Sequence, residues 1–192
     1  EVHSPNLDQL ATEGMRFTRM FATGPVCSVS RSAFMTGMYQ TTIGAHNHRS
    51  HRDDGYQLPA GVRPLPDWLR DAGYLTANIR SFPEPISFKA SGKTDWNFTH
   101  VTRKAFDSDN WTDLKAKQPF LAQVNFPETH RAFKSPKRAD PAKVELPPIY
   151  PDHLIARQDW AAYLDAASDL DRKVGEVLRQ LERDGLADDT IV

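Results

Sequence analysis

The chain has 192 residues, 39% of them hydrophobic and 26% charged, which suits a soluble globular protein with one core. Its 24 Lys and Arg against 25 Asp and Glu leave a formal charge of -1, so neither a nucleic-acid partner nor an anionic membrane surface is indicated. No apolar run approaches the roughly 20 residues of a membrane span, and a single cysteine, Cys27, excludes an internal disulfide framework.

Residues 4–14 predict a short helix, with Ser4 as cap, Pro5 in the first helical position and Gly14 as stop. Residues 15–22 mix aromatic and apolar side chains and predict a strand leading into the Gly24-Pro25 break. A helix follows over 28–36, with Gly37 as its C-terminal stop. Residues 38–63 are polar, rich in His and Arg and without a period, and read as a long surface loop. Leu65, Trp68 and Leu69 fall at helical spacing within 64–72, and 74–79 is a buried strand. Residues 83–111 read as irregular. The clearest strand covers 120–126, bounded by Pro119 and Pro127, and the proline-rich stretch 131–151 reads as an extended excursion. Tyr163, Leu164, Ala167, Leu170, Val174, Val177, Leu178 and Leu181 describe an amphipathic helix from about residue 158 to 184, ending at Gly185. Thr190-Ile191-Val192 resembles the opening of another strand. Helices alternating with short apolar strands predict an α/β fold, a mostly parallel sheet flanked by helices.

Cys27 follows a Gly-Pro break and opens a helix, where free backbone N–H groups and the positive dipole end suit an anion or a thiolate. Arg31, one turn later, can bring its guanidinium to the same anion. Taken alone, this pair also describes a thiol phosphatase, or a helix start with a buried cysteine and a surface arginine. The wider string Pro25-Val26-Cys27-Ser28-Val29-Ser30-Arg31-Ser32-Ala33-Phe34-Met35-Thr36-Gly37 resembles the C-x-P-S-R signature of type I sulfatases, followed by a hydrophobic pair and T-G. Residues 4–17 are similar to that family's S-P-N-L-D-x-L-A-x-E-G-x-x-F segment. Residues 66–79 resemble its helix-then-strand element ending in A-G-Y-x-T, and 163–192 its closing helix ending in G-x-x-D-x-T-I-V. Together these blocks span nearly the whole chain.

The resemblance implies an alkaline-phosphatase-like sulfatase core, incomplete here, with 1–192 forming part of an N-terminal catalytic domain. It implies that a formylglycine-generating enzyme oxidises Cys27 to formylglycine, which also ligates a divalent cation, expected to be calcium. One hydroxyl of the aldehyde hydrate attacks the sulfur of a sulfate monoester, and ionising the other expels sulfate, with Arg31 favouring the ionised oxygen. Gly92-Lys93 resembles the family's G-K element, whose lysine grips the sulfate; Asp95 stands where a histidine commonly follows. His130, just after the strand at 120–126, resembles the histidine that protonates the leaving alkoxide or holds a sulfate oxygen.

His46, Asn47, His48, Arg49, His51 and Arg52 form a basic cluster that reads either as a loop touching an anionic substrate, with His46 in contact, or as a solvated loop. Asp53-Asp54 reads as loop surface. Val29 departs from the family's Pro or Ala at a position that the modifying enzyme reads. The acidic cation ligands are expected before Glu1 and after Val192, so the chain alone is expected to bind calcium poorly and to be inactive. The implied substrate is a sulfated small molecule or glycan, and family habit suggests a periplasmic or secreted enzyme. The alternatives are a phosphatase or phosphodiesterase of the same superfamily, or a non-catalytic member that binds a sulfated glycan.

Overall fold

The computed structural model describes residues 2–48, 54–100 and 104–192. In chain order its elements are α1 (Pro5–Glu13), α2 (Cys27–Thr36), α3 (Leu65–Asp71), β1 (Leu75–Ser81), β2 (Ser108–Asn110), α4 (Thr112–Ala116), β3 (Phe120–Val124) and α5 (Leu154–Arg183). They fall into two compact units, one covering Thr18–Asn125 and the other combining Glu1–Phe17 with Phe126–Val192.

The unit Thr18–Asn125 is built on a three-stranded parallel sheet in the order β2-β1-β3. β1 and β3 run in register from Leu75 beside Phe120 to Ile79 beside Val124. In the central strand Thr76, Ala77, Asn78 and Ile79 are all buried, so β1 is covered on both faces, as parallel sheets require. Parallel neighbours need long crossovers, and here the irregular crossover after β1 carries core. Trp96 and Phe98 stack with centroids 5.1 Å apart and share a buried cluster with Met35 and Phe106.

The short β2 and α4 were not legible as elements. The sequence of β2 is Ser-Asp-Asn, polar and mostly exposed, and it has no apolar period. Asp107, just before it, is the fastening. Its carboxylate accepts from the Thr76 backbone N–H at 3.0 Å, the Thr76 hydroxyl at 2.7 Å and Arg70 Nε at 2.9 Å. Burial would raise the Asp107 pKa, but these hydrogen bonds and the Arg70 charge outweigh it and hold the carboxyl below its usual range.

Two expected surfaces are reversed in this unit. On α3, Leu65 and Trp68 are exposed while Pro66 and Asp67 are buried. The buried carboxylate of Asp67 is satisfied by Arg70 Nη1 at 2.9 Å and His100 Nε2 at 3.0 Å, so a polar network rather than the apolar pair faces inward. In the 38–63 loop, Ile43 and Ala45 are buried, and Tyr56 donates its hydroxyl to the Ile43 carbonyl at 2.7 Å.

The other unit pairs α1 with α5. Ser4 occupies the cap position of α1, yet its side chain caps no backbone N–H. That role falls to Asp171 on α5, which is almost fully buried and accepts from the Asn6 backbone N–H at 3.3 Å, Asn6 Nδ2 at 2.6 Å and the Leu7 N–H at 2.8 Å. A carboxylate at the positive end of a helix is favoured electrostatically as well. Gly175, one turn along α5, gives Asn6 room to approach; a Cβ there would overlap the Asn6 side chain. Gly14 ends α1 with φ -124°, so its stop needs no left-handed conformation.

α5 starts four residues before its predicted start, because the His153 side chain caps it by accepting from the Ile155 N–H at 3.2 Å. Gly185 closes it at φ +67°. Its buried face includes Ala161, Asp165, Ala166 and Gly175, small or polar residues that an apolar count passes over. Residues 15–22 and 190–192 form no strand: Met15, Phe17, Met20, Phe21, Ile191 and Val192 are all exposed. Apolar composition alone does not make a strand without a neighbour to take up its backbone hydrogen bonds.

Candidate active site

Val26 is extended, and the chain turns into α2 at Cys27. Cys27 therefore occupies the first helical position, half-buried and with a free thiol. Gly24 is required just upstream, because a Cβ there would come within 2.7 Å of Val29 Cγ1. Val29 itself is buried, so this departure from the signature serves as a packing residue in the folded chain. Gly37 takes the left-handed conformation at φ +65° and stops the helix as expected.

The inward side of α2 carries two buried serines beside Val29, Ala33 and Met35. Ser28 Oγ lies 2.8 Å from His48 Nδ1. Ser32 donates to the Ser28 carbonyl at 2.7 Å and accepts from the Asn97 N–H at 2.8 Å. Asn97 in turn donates its side-chain amide to the carbonyls of Ala45, at 3.0 Å, and Asn47. These bonds tie α2 to the start of the basic loop, and among the described loop histidines His48 meets it. His46 is exposed. Arg49, His51, Arg52 and Asp53 lie outside the described residues.

Arg31, half-buried on the second turn, donates through Nη1 to Asn125 Oδ1 at 2.7 Å and, at 3.4 Å, to the Lys93 carbonyl. The structure thus brings Arg31 and the Gly92-Lys93 turn together beside the helix that carries Cys27. Gly92 sits at φ +62°, and a Cβ on it would meet Arg80 Cγ at 2.5 Å. The Lys93 ammonium pairs with the buried Asp95 carboxylate at 2.9 Å.

His130 belongs to the other unit, in an exposed turn after β3. Its Nδ1 donates to the Arg131 carbonyl at 2.6 Å, which leaves Nε2 as the basic nitrogen of the neutral ring. Nearby, Arg131 pairs with Asp159, and the Glu128 carboxylate meets the Lys173 ammonium.

Sequence reasoning missed Asn78, Gln123 and Asn125, the amides around Arg31. The signal was present: Asn78 interrupts an apolar buried strand, and Gln123 and Asn125 are two residues apart, hence on one face of β3 and its continuation. Among the described residues no group of three or more His, Cys, Asp and Glu side chains is placed to hold a metal ion. A calcium site needs several oxygen ligands, and no set of acidic side chains for one is assembled among the described residues.

The sulfatase family model matches residues 1–192. The chain belongs to the sulfatase family. This sulfatase chain is 30% identical to an ulvan-active sulfatase of Formosa agariphila, with all of the chain and 39% of the relative covered. It is 27% identical to human N-sulphoglucosamine sulphohydrolase, again over its whole length and over 45% of the relative. It thus spans less than half the length of these curated relatives. Among solved structures it resembles a phosphonate monoester hydrolase from Silicibacter pomeroyi, at TM-score 0.71 and 18% identity, covering 98% of this chain and 56% of that one. At that identity the likeness speaks for the fold, an alkaline-phosphatase-like core.

Proposed function

We propose that the protein hydrolyses sulfate monoesters through a formylglycine formed from Cys27. The observation that carries this reading is the placement of Cys27 at the start of α2 with Arg31 one turn later, and with the Lys93 turn bonded to that arginine. Formylglycine, once formed, supplies a hydrated aldehyde with one hydroxyl to attack sulfur and a second whose ionisation expels sulfate. The residues of this chain do the rest. The free N–H groups at the start of α2 and the Arg31 guanidinium stabilise the negative charge on the sulfuryl oxygens. Lys93 stands beside them with its own charge offset by Asp95. His130, as an imidazolium, is the proposed proton source for the leaving alkoxide, giving up its Nε2 proton while Nδ1–H stays on the Arg131 carbonyl, and His46 is a proposed contact for the anionic substrate.

Calcium is the cation proposed for the intact protein. The formylglycine at Cys27 would be one of its ligands and the acidic ligands would come from outside the described residues, and no step above depends on it. The formylglycine-generating enzyme is the proposed partner, and it would act on a segment with Val29 in place of the usual Pro or Ala. The names of the relatives favour a sulfated glycan as substrate over a small aryl sulfate. Residues 1–192 would then be part of a catalytic domain.

Two measurements test the reading. Mass spectrometry of the Cys27 peptide, after co-expression with the modifying enzyme, should show a loss of about 18 Da as thiol becomes aldehyde, the activation that a covalent nucleophile needs. Parallel assays with aryl sulfate and aryl phosphate should favour the sulfate. Unmodified cysteine in every host would support a non-catalytic glycan-binding protein, and a preference for phosphate would support a phosphatase or phosphodiesterase.

A further inference from the structure

Arg31 and Lys93 are held in opposite ways. The Lys93 ammonium lies 2.9 Å from Asp95, whose side chain is only 2% exposed, so a buried negative charge offsets it. Arg31 gives its Nη1 protons to two neutral acceptors, the Asn125 side-chain oxygen and the Lys93 carbonyl. The guanidinium is fixed in direction without losing its net charge, and its other two nitrogens carry the remaining N–H groups.

The orientation of Asn125 follows from its neighbours. Asn78 Nδ2 donates to the Gly92 carbonyl at 2.7 Å, which turns Asn78 Oδ1 toward β3. That oxygen accepts from Asn125 Nδ2 at 2.9 Å and from Gln123 Nε2 at 3.2 Å. Gln123 also donates to the Lys93 carbonyl at 3.3 Å. Only one arrangement satisfies the set, and it presents Asn125 Oδ1 to Arg31. A flipped amide would set N–H against N–H. Asn78 and Asn125 are both buried, where an unmatched amide is costly.

We propose that Asn125, oriented by Asn78 and Gln123, is a positioning residue for Arg31, fixing the guanidinium while leaving its charge uncompensated for the sulfuryl group. Arg31 then supplies an uncompensated positive charge to the anion, whereas that of Lys93 is offset by Asp95. The proposal rests on the part of the sulfatase reading that places a sulfuryl group at the Cys27 helix.

The test uses the intact protein and inorganic sulfate as probe, with calorimetric affinity, kcat, KM and melting temperature measured for Asn125→Asp, Asn125→Ala and Asp95→Asn. Asn125→Asp keeps the shape and the hydrogen bond to Arg31 but places a carboxylate on the guanidinium and gives up the Nδ2 bond to Asn78. Sulfate affinity should fall and KM should rise by about ten- to a hundredfold, the scale of one added charge near a semi-buried anion, with melting temperature lowered no more than in Asn125→Ala. Asn125→Ala should lower kcat by about tenfold as the guanidinium loses its direction. Asp95→Asn should act in the opposite sense and tighten sulfate binding by uncovering Lys93.

A purely structural role would lower melting temperature and affinity together in all three variants, and that result overturns the proposal. So does an Asn125→Asp protein that binds sulfate like the wild type. If Asn125→Asp does not fold, Asp95→Asn decides, and failure to bind more tightly overturns the proposal. A wild type that binds sulfate but turns over no ester removes the sulfatase reading and leaves this one standing. A wild type that binds no sulfate removes this one.

Discussion

Gly24 and Val29 are coupled through a single methyl contact. The space that a Cβ at Gly24 would need is filled by Val29 Cγ1, 2.7 Å away, and Val29 is itself buried at 5% exposure. Gly24→Ala should therefore destabilise the protein by about 1–3 kcal/mol, the usual cost of overpacking. Val29→Ala in the same chain should recover most of that loss, and thermal unfolding of the two single variants and the double reads the coupling. Equal losses in the single and double variants would show that the contact is not the cause. At this scale the sequence was readable where chemistry is local. Cys27 and Arg31 stand four apart in one motif, so their shared helix could be inferred before any fold was known. The amides stand out in the sequence, but their convergence on Arg31 does not, because Asn125 bonds to Arg31 across 94 positions of chain and Asn78 to Asn125 across 47.

Between elements, the α1–α5 contact depends on a missing side chain as much as on a present one. Replacing Gly175 by Ala would gain helix propensity of up to about 1 kcal/mol in isolation. Here the new methyl would overlap Asn6, which is itself tied to Asp171 and Arg179. The expected result is net destabilisation of about 1–3 kcal/mol, turning into stabilisation when Asn6→Ala is already present. Denaturant unfolding of the four-protein cycle measures it. The ends of α1, α2 and α5 were legible from their stop residues, but the start of α5 and the cap of α1 were not, because His153 caps the one and Asp171 serves the other from another helix.

The sheet edge makes a second prediction at the same scale. Asp107 has its folded pKa below the unfolded value, so its contribution to stability is complete above the ordinary carboxylate range and is lost as pH falls through that range to the lower folded value. Asp107→Asn should flatten the acid side of the stability–pH curve. Because the side chain is 37% exposed, solvent screening keeps the effect modest. An unchanged acid slope in the variant would show that β2 is not fastened by this charge.

For the molecule as a whole, the α/β class and parallel sheet were legible because β1 and β3 are short and apolar, with a helix signal before the first and another after the second. The strands expected at 15–22 and 190–192 were read from composition, which cannot reveal whether a pairing partner exists. The metal site follows the same logic. A calcium site needs several oxygen ligands converging from different segments, and among the described residues no such group of acidic or histidine side chains is assembled. On the function proposed above, the 192-residue chain alone should bind calcium poorly and hydrolyse sulfate esters little or not at all, in contrast to the intact protein. Ligand linkage gives the contrast a size: a native site filled at a hundred times its Kd adds about 2.7 kcal/mol of stability. For a domain of this length that shift moves the melting temperature by roughly 5–11 °C, at 2–4 °C per kcal/mol. Millimolar calcium should leave the melting curve of the 192-residue chain where it is and produce no binding heat. A shift of several degrees in that chain would mean that its own residues build the cation site, and the calcium ligands would then have to be sought among them.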